Sequence, residues 1–330
     1  MMTSNMIGRR YLCKVAMSMA AAGLLGALTS AHAADFPSKS ITFVVPFAPG
    51  SATDQIARLL AQQLGTELKA TVVVENKTGA GGLIAAKQVA TAPSDGHTIF
   101  ITTNTTQAAN QFLYKSLQYD PVKDFTPVAL LRKTYQAVLV RADLPVKSVK
   151  DLVDLAKREP GKLTFGSGSS SSRMGMELLK QLGGVDILHV PYKSNPQVVT
   201  ALLASEIDVA TVETGALATL PSAKVRPLAI TSQARLPHMP DFPTVEESGL
   251  KGYEMSSWTA VYLPKGASPE LVQQLNQLFV KFMSTPAMEQ MLKTSGTIRV
   301  TSSSDGLAKF QAEEADKWKR MIQRAGIEPE

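Results

Sequence analysis

The stretch Ile41–Asp54, with the sequence ITFVVPFAPGSATD, decides the fold of this chain. Five β-compatible residues, Ile41–Val45, lead into a Pro-Gly-Ser turn, and an amphipathic helical pattern begins near Thr53. A helix that begins directly after a strand points its unpaired backbone N–H groups beyond the end of that strand. The stretch therefore predicts an anion-binding loop at the edge of a parallel sheet.

An export signal precedes this stretch. Basic residues near the N-terminus are followed by an apolar run over 15–28 and by a small-x-small cleavage site at 31–33. The run is shorter than the roughly 20 residues that a membrane-spanning helix needs. Residues 1–33 are therefore predicted to be a signal peptide that sends the protein to the periplasm. The pair Arg9-Arg10 leaves twin-arginine export open beside the general secretory route.

Composition excludes several classes of function. The 330 residues carry a net charge of +6, and loss of the three basic residues of the signal leaves about +3. This charge is too small to indicate a nucleic-acid partner. The one cysteine, Cys13, lies in the signal, so the mature chain is expected to have no disulfide and no cysteine-bound metal. The mature chain of roughly 297 residues is larger than a typical domain with a single hydrophobic core, and it therefore predicts two domains.

Short β-rich runs alternate with amphipathic helical runs along the mature chain. The runs at 41–45, 71–75 and 98–102 predict a βαβαβ unit with a parallel sheet. A second α/β series begins with a strand at 137–140. After it, Ser268-Pro269 is a typical helix start, and the closing helices are expected to return to the first unit.

Three loops that follow predicted strands are rich in small hydrogen-bond donors, at 48–53, 102–106 and 166–172. Ligands of open parallel sheets bind beyond the carboxyl ends of the strands. Each loop alone is compatible with ordinary turn and helix-cap chemistry. Their shared position instead favours one binding cleft. Because the donors are neutral, they indicate a carboxylate held by hydrogen bonds and not by a salt bridge.

Three charged residues near these loops have alternative roles. Asp54 is expected to stabilise the N-terminus of its own helix. Arg173 opens the helix after the serine-rich loop, and it is either a solvated helix-end arginine or a ligand for a second carboxylate. Glu213 follows a predicted strand, where its carboxylate could hold a ligand amine or a water.

Motifs of known enzymes are mostly missing. The chain has no G-x-S-x-G elbow, no P-loop and no H-E-x-x-H pair. The mature histidines His97, His189 and His238 are far apart in the sequence. A secreted hydrolase that uses the serine loop at 166–172 as nucleophile would have only His189 as its base. We therefore expect no enzyme activity, no cofactor and no metal.

Eight segments match one family pattern, in order, over almost the whole mature chain. They are PSKSITFVVPFAPGSATD (37–54), VVVENKTGAGGLIAA (72–86), SDGHTIF with TTN (94–104), YDPVKDFTPVALL (119–131), PGKLTFGSGSSSS (160–172), GGVDILHVPYKS (183–194), FPTVEESGLKGYEMSSW (242–258) and AGIEPE (325–330). On these segments the chain resembles the Bug-type periplasmic solute receptors of tripartite tricarboxylate transporters.

The resemblance implies an α/β, type II periplasmic binding protein, a Venus flytrap with a mainly parallel sheet in each domain. Domain 1 is expected at 35–135 plus 258–330, and domain 2 at 136–257. The implied ligand is a small carboxylate, an organic acid or acidic amino acid, and the implied partners are membrane transporter subunits. A monomer is expected, with no nucleic-acid partner. A ligand-sensing receptor for a signalling partner uses the same closed form and remains open.

The loops and the resemblance together predict a ligand site. The predicted ligand-binding residues are Phe47, Gly50, Ser51, Thr53, Thr103, Asn104, Gly168, Ser169, Ser170, Arg173, Tyr192 and Glu213. The chain also departs from the family pattern, because Ser51 stands where the second of two glycines is usual and Arg173 stands where histidine is frequent. The ligand of a relative therefore cannot be transferred to this chain.

Overall fold

The computed structural model describes residues 36–237 and 239–329. The predicted signal peptide, with Cys13, and His238 lie outside the described residues. From Lys39 onward the chain forms one compact unit. Among the described residues, no helix combines the length and the apolar character needed to cross a bilayer.

Strands and helices alternate through most of the described chain. The strands are β1 (Ile41–Val45), β2 (Val72–Asn76), β3 (Thr98–Thr103), β4 (Phe125–Arg141), β5 (Thr164–Ser167), β6 (Leu188–Pro191), β7 (Val209–Glu213), β8 (Val225–Ile230), β9 (Ser256–Pro264) and β10 (Thr297–Arg299). The helices are α1 (Ala52–Leu68), α2 (Leu83–Ala90), α3 (Asn110–Leu113), α4 (Val149–Arg158), α5 (Ser170–Gly183), α6 (Asn195–Leu203), α7 (Pro269–Phe282), α8 (Pro286–Thr294) and α9 (Ser304–Arg324). A π-helical turn, Thr105–Ala109, leads into α3, and 3₁₀ turns occupy Ala80–Gly82 and Thr214–Thr219.

The strands form a mixed sheet in the order β2-β1-β3-β9-β4-β7-β5-β6, and β8 and β10 also pair with β4. The pairs of β1 with β2 and β3, and of β5 with β6 and β7, are parallel, as predicted. Every pair that involves β4 or β9 is antiparallel. The α/β class is confirmed, but the expectation of mainly parallel sheets is wrong, because these two strands run against their neighbours.

Strand β4 connects the two ends of the sheet. Its first part, from Phe125 to Tyr135, pairs with β9, whereas its last part, from Gln136 to Arg141, pairs with β7 and β8. Only its last part was predicted from the sequence. Its first part contains Pro127, which usually argues against a strand; here the register against β9 shifts directly after it, and bulges tolerate proline.

Helix starts follow the capping chemistry expected from the sequence. The side chain of Ser148 caps α4 and that of Ser268 caps α7, where Pro269 occupies the first turn. Helix α9 buries Leu307 and Trp318 against the sheet core. The predicted elements are therefore present, and α1 and α5 are among the helices that begin shortly after a strand ends.

Candidate functional site

The loop between β1 and α1 is held by a polar cluster around Asp54. One carboxylate oxygen of Asp54 accepts from the Gly50 amide and from Arg58 Nε, both at 2.9 Å, and the other accepts from Asn76 Nδ2 at 2.9 Å. Burial alone would raise the pKa of Asp54, but hydrogen bonds from Arg58, Gly50 and Asn76 lower it below its ordinary value. Asp54 thus stabilises the start of its own helix, as predicted.

The loop between β5 and α5 is held by uncharged groups. Ser169 caps α5 in a capping box with Ser172, and the Gly168 amide donates to Ser172 Oγ at 3.1 Å and to Asn195 Oδ1 at 3.2 Å. A Cβ atom on Gly168 would lie 2.1 Å from the carbonyl carbon of Ser194. Glycine is therefore required here because the backbone before α6 passes directly against the loop.

Each of these two helices leaves two amides without an acceptor. In α1 the Asp54 amide donates to Ser51 Oγ, so among the described residues the amides of Ala52 and Thr53 have no partner. In α5 the Ser172 amide donates to Ser169 Oγ, and the amides of Ser170 and Ser171 are left in the same way within the described chain. Both helix N-termini also carry partial positive charge. We call each N-terminus with these two amides a helix mouth.

The two helix N-termini meet at one central cavity. Its lining residues are Phe47, Ser51, Ala52, Thr53, Thr103, Arg132, Thr134, Gly168, Ser169, Ser171, Asn195, Glu213, Ser257 and Thr259. The central cavity is small, about 20 Å³. It adjoins a first side cavity of about 310 Å³ that is also lined by Arg132 and Glu213, and a second side cavity of about 700 Å³ that is also lined by Gly168 and Ser169.

The end of β3 and the residue that follows it contact the central cavity lining. Asn104 is fully buried, and its Oδ1 accepts from Ser257 Oγ at 2.6 Å and from the Trp258 amide at 3.4 Å. Thr103 Oγ1 accepts from the Thr105 amide at 3.2 Å, at the start of the π-helical turn. Turns of this kind are frequent at functional sites. Thr103 lines the cavity, whereas Asn104 orients Ser257, which does.

A buried arginine on β4 was missed from the sequence. Arg132 is 1% exposed; its Nη2 donates to the Ala52 carbonyl at 2.6 Å, and its Nε donates to Thr259 Oγ1 at 3.2 Å. Burial lowers the pKa of Arg132 to about 10, so the side chain remains a cation at neutral pH. The sequence had indicated a lining of neutral donors only. The structure adds one cation, Arg132, to that lining. Arg132 is followed by Lys133, and this segment was not predicted as a strand. Two adjacent basic residues outside a predicted strand do not indicate a buried position.

Glu213 stands at the end of β7, on the wall of the central cavity. Both of its carboxylate oxygens accept from Asn195 Nδ2 at 2.9 Å. Asn195 therefore bridges Glu213 and the Gly168 loop, and it was also missed, because an Asn-Pro pair after Lys193-Ser194 indicates only a turn.

The predicted site residues separate by the cavity that they line. Phe47, Ser51, Thr53, Thr103, Gly168, Ser169 and Glu213 line the central cavity, and Gly50 lines the first side cavity. Ser170, Arg173 and Tyr192 line the second side cavity, beside His189 and Lys193. Asn104 lines none of these three cavities but accepts from Ser257, which lines the central one. The site prediction as a whole stays a prediction.

A serine and a histidine lie together on the second side cavity. Ser167 Oγ and His189 Nε2 are 2.6 Å apart, and the His189 ring stacks on Phe165 with 4.9 Å between centroids. The hydrolase alternative would need backbone donors for an oxyanion beside this serine. The neighbouring Gly168 amide already donates to Ser172 and Asn195. Within the described residues, no group of three His, Cys, Asp or Glu side chains could hold a metal ion.

Comparisons with known proteins agree on one family. The family model described as the tripartite tricarboxylate transporter family receptor matches residues 56–327. A Rhodopseudomonas palustris protein solved with adipate is 33% identical, with a TM-score of 0.87, over 90% of this chain and 100% of that one. The periplasmic binding protein BugD is 31% identical, with a TM-score of 0.84, over 89% and 100% of the two chains. MatC from Rhodopseudomonas palustris, solved with bound malate, is 31% identical, with a TM-score of 0.81, over 87% and 100%.

These matches extend over nearly the whole described fold. The family is one of periplasmic binding proteins, and not of enzymes, so the periplasmic location predicted from the sequence is confirmed and the hydrolase alternative is rejected. The chain belongs to the receptor family of tripartite tricarboxylate transporters.

Proposed function

We propose that this receptor binds a small carboxylate in the central cavity and presents it to the membrane subunits of a tripartite transporter. The observation that carries the proposal is the convergence of two helix N-termini on one cavity. Ala52 and Thr53 on one side, and Ser171 on the other, line this cavity and have amides without protein acceptors among the described residues. Such amides bind anionic oxygens without a positively charged side chain.

The ligand class is supported by the relatives. One Rhodopseudomonas palustris structure contains adipate, and MatC contains malate, and both ligands are small carboxylates. The buried cation of Arg132 beside the α1 mouth adds a charge that favours an anion in the cavity. A nucleic-acid partner, a cofactor and a metal have no part in this proposal.

We also propose that the two ends of the sheet are the two domains expected from the sequence, 35–135 plus 258–330 and 136–257. The change of partners in β4 between Tyr135 and Gln136 supports this boundary. Each proposed domain contributes one helix mouth to the cavity, so ligand binding should favour the closed arrangement. A monomer suffices, because one chain supplies the whole lining.

A thermal-shift screen of organic acids and amino acids tests the binding function. A true ligand at a hundredfold excess over its Kd stabilises the folded protein by about 2.7 kcal/mol and should raise the Tm. Small-angle scattering of the same samples should show a smaller radius of gyration with ligand. A screen in which no carboxylate raises the Tm would contradict the proposed function, and a Tm shift with an unchanged radius would contradict closure alone.

A further inference from the structure

The central cavity has two side chains of opposite charge on its wall, Arg132 and Glu213. Both lie in the described part of the chain, where no direct ion pair joins them. Each of them also lines the first side cavity, and Thr134 likewise lines both cavities. The wall is therefore neutral in sum but dipolar, positive at β4 and negative at the end of β7.

The positive end is a buried cation whose hydrogen bonds, among the described residues, all go to neutral groups, although burial lowers its pKa and the nearby charge of Glu213 raises it. Arg132 donates to the Ala52 carbonyl, to Thr259 Oγ1 and, weakly, to Met291 Sδ. A guanidinium has five N–H donors, so donor capacity is left after these three contacts. Because a buried charge is costly unless it is paired, this position is suited to a ligand anion.

The negative end is a carboxylate fixed by one amide. Glu213 accepts from Asn195 Nδ2 at both oxygens, and a carboxylate has about four acceptor positions. The remaining acceptor positions are available to a donor in the cavity. A second carboxylate at this end would instead meet a like charge, which disfavours its ionised form.

The first side cavity has room for the body of such a ligand. Its volume of about 310 Å³ lies at the lower end of the range of small-molecule sites. Val199, Val212 and Leu220 give its lining an apolar part. A ligand that extends from the helix mouths into this space would therefore place an apolar group there.

We propose that the ligand is a carboxylate that also carries a cationic nitrogen, as an amino acid does. Its carboxylate lies between the helix mouths and Arg132, and its ammonium group lies against Glu213. Glu213 is then the residue that selects this class over dicarboxylates and simple monocarboxylates. The inference rests on the proposed function, because it assigns the ligand of the same cavity.

The test uses pairs of ligands that differ only in the ammonium group. Calorimetry on the mature protein should compare leucine with 4-methylpentanoate, phenylalanine with 3-phenylpropanoate, and aspartate with succinate. In at least one pair the amino acid should bind about tenfold or more tightly than its partner, as expected for a hydrogen bond between charged groups. This comparison needs only the wild-type protein.

Glu213→Gln should reduce that preference to about twofold or less, since the amide keeps the volume but loses the charge. Glu313→Gln, the same change at an exposed position of α9, should leave the preference unchanged. Wild-type binding of the deaminated acids as tight as that of the amino acids would overturn the inference and keep the proposed function. An unchanged preference in folded Glu213→Gln would do the same. Failure of every carboxylate to bind would overturn both.

Discussion

The two loops that lead into α1 and α5 present their amides in the same way but are stabilised by different means. The α1 loop relies on a charged cluster that is local in sequence, with Asp54 accepting from Gly50, Arg58 and Asn76. The α5 loop relies on neutral contacts to the start of α6, through Asn195 and the backbone at Ser194. The first loop should therefore respond to pH and charge, and the second to steric change.

The glycines of the two loops also have different structural roles. Gly50 has a φ of +81°, but a Cβ atom there would meet nothing within 4 Å. Gly168 has no such φ, but a Cβ atom there would lie 2.1 Å from Ser194 C and 2.3 Å from Asn195 N. Gly50 is needed for its left-handed backbone conformation, whereas Gly168 is needed because a side chain would clash with the neighbouring backbone.

The largest expected effect is that of Gly168→Ala. The added methyl group must displace the backbone before α6, and the expected loss in the free energy of unfolding is about 3 kcal/mol. Gly50→Ala is the matched control and should lose only about 1 to 2 kcal/mol, the strain of a left-handed alanine. Urea unfolding of both variants measures the difference. Equal losses would mean that the two loops are not stabilised differently.

Asp54→Asn should have the next largest effect and should depend on pH. Loss of charged hydrogen bonds is expected to lower the free energy of unfolding by about 2 kcal/mol at pH 7. The pKa of Asp54 is lowered in the folded state, so this contribution is present above the ordinary value of 3.8 and is lost as pH falls below it. The wild type and the variant should therefore converge in urea unfolding as the pH falls from 7 to 3.

Asp316→Asn, an exposed change on α9, is the control and should stay within about 0.5 kcal/mol of the wild type at each pH. A gap between wild type and Asp54→Asn that is the same at pH 7 and pH 3 would contradict the charged-cluster account of the α1 loop.

Ala52→Pro should have the smallest effect on stability and act on binding. Proline at the first position of a helix is tolerated, and Ser51 before it is already extended, with a ψ of 156°. The change removes one amide from the α1 mouth, so calorimetry should show binding of every ligand weakened by about tenfold. Ser304→Pro at the first position of α9 is the control and should bind normally. Unchanged affinity in Ala52→Pro would show that the α1 mouth does not hold the ligand.

Much of the fold could be predicted from local patterns, and part of the site could not. The strand-loop-helix start at Ile41–Asp54 and the cap at Ser268 are local, since each depends on residues adjacent in the chain. Arg132 and Asn195 enter the cavity through tertiary contacts, with Ala52 and Glu213, that no local pattern encodes. Glu213, singled out by its position after a strand, lines the cavity wall, and its role in ligand binding stays a prediction.

Arg173 shows the opposite limit. It stands at the predicted place, in the first turn of α5, but its side chain lines the second side cavity and not the central one. Its sequence position fixes the helix turn, whereas the side of the turn that meets the central cavity depends on how α5 packs against the sheet. A role for Arg173 with a second carboxylate therefore stays a prediction.

The surroundings of Trp258 give the protein an optical signal of its own. The backbone amide of Trp258 donates to Asn104 Oδ1, and its indole N–H donates to Glu314 Oε2 at 3.0 Å. The only other tryptophan of the chain, Trp318, is buried in α9. Since Ser257 lines the cavity and its neighbour Trp258 shares the Asn104 acceptor with it, a ligand that displaces Ser257 should also displace this fluorophore relative to the Glu314 carboxylate. We therefore expect ligand binding to change the intrinsic emission of the protein, without a label.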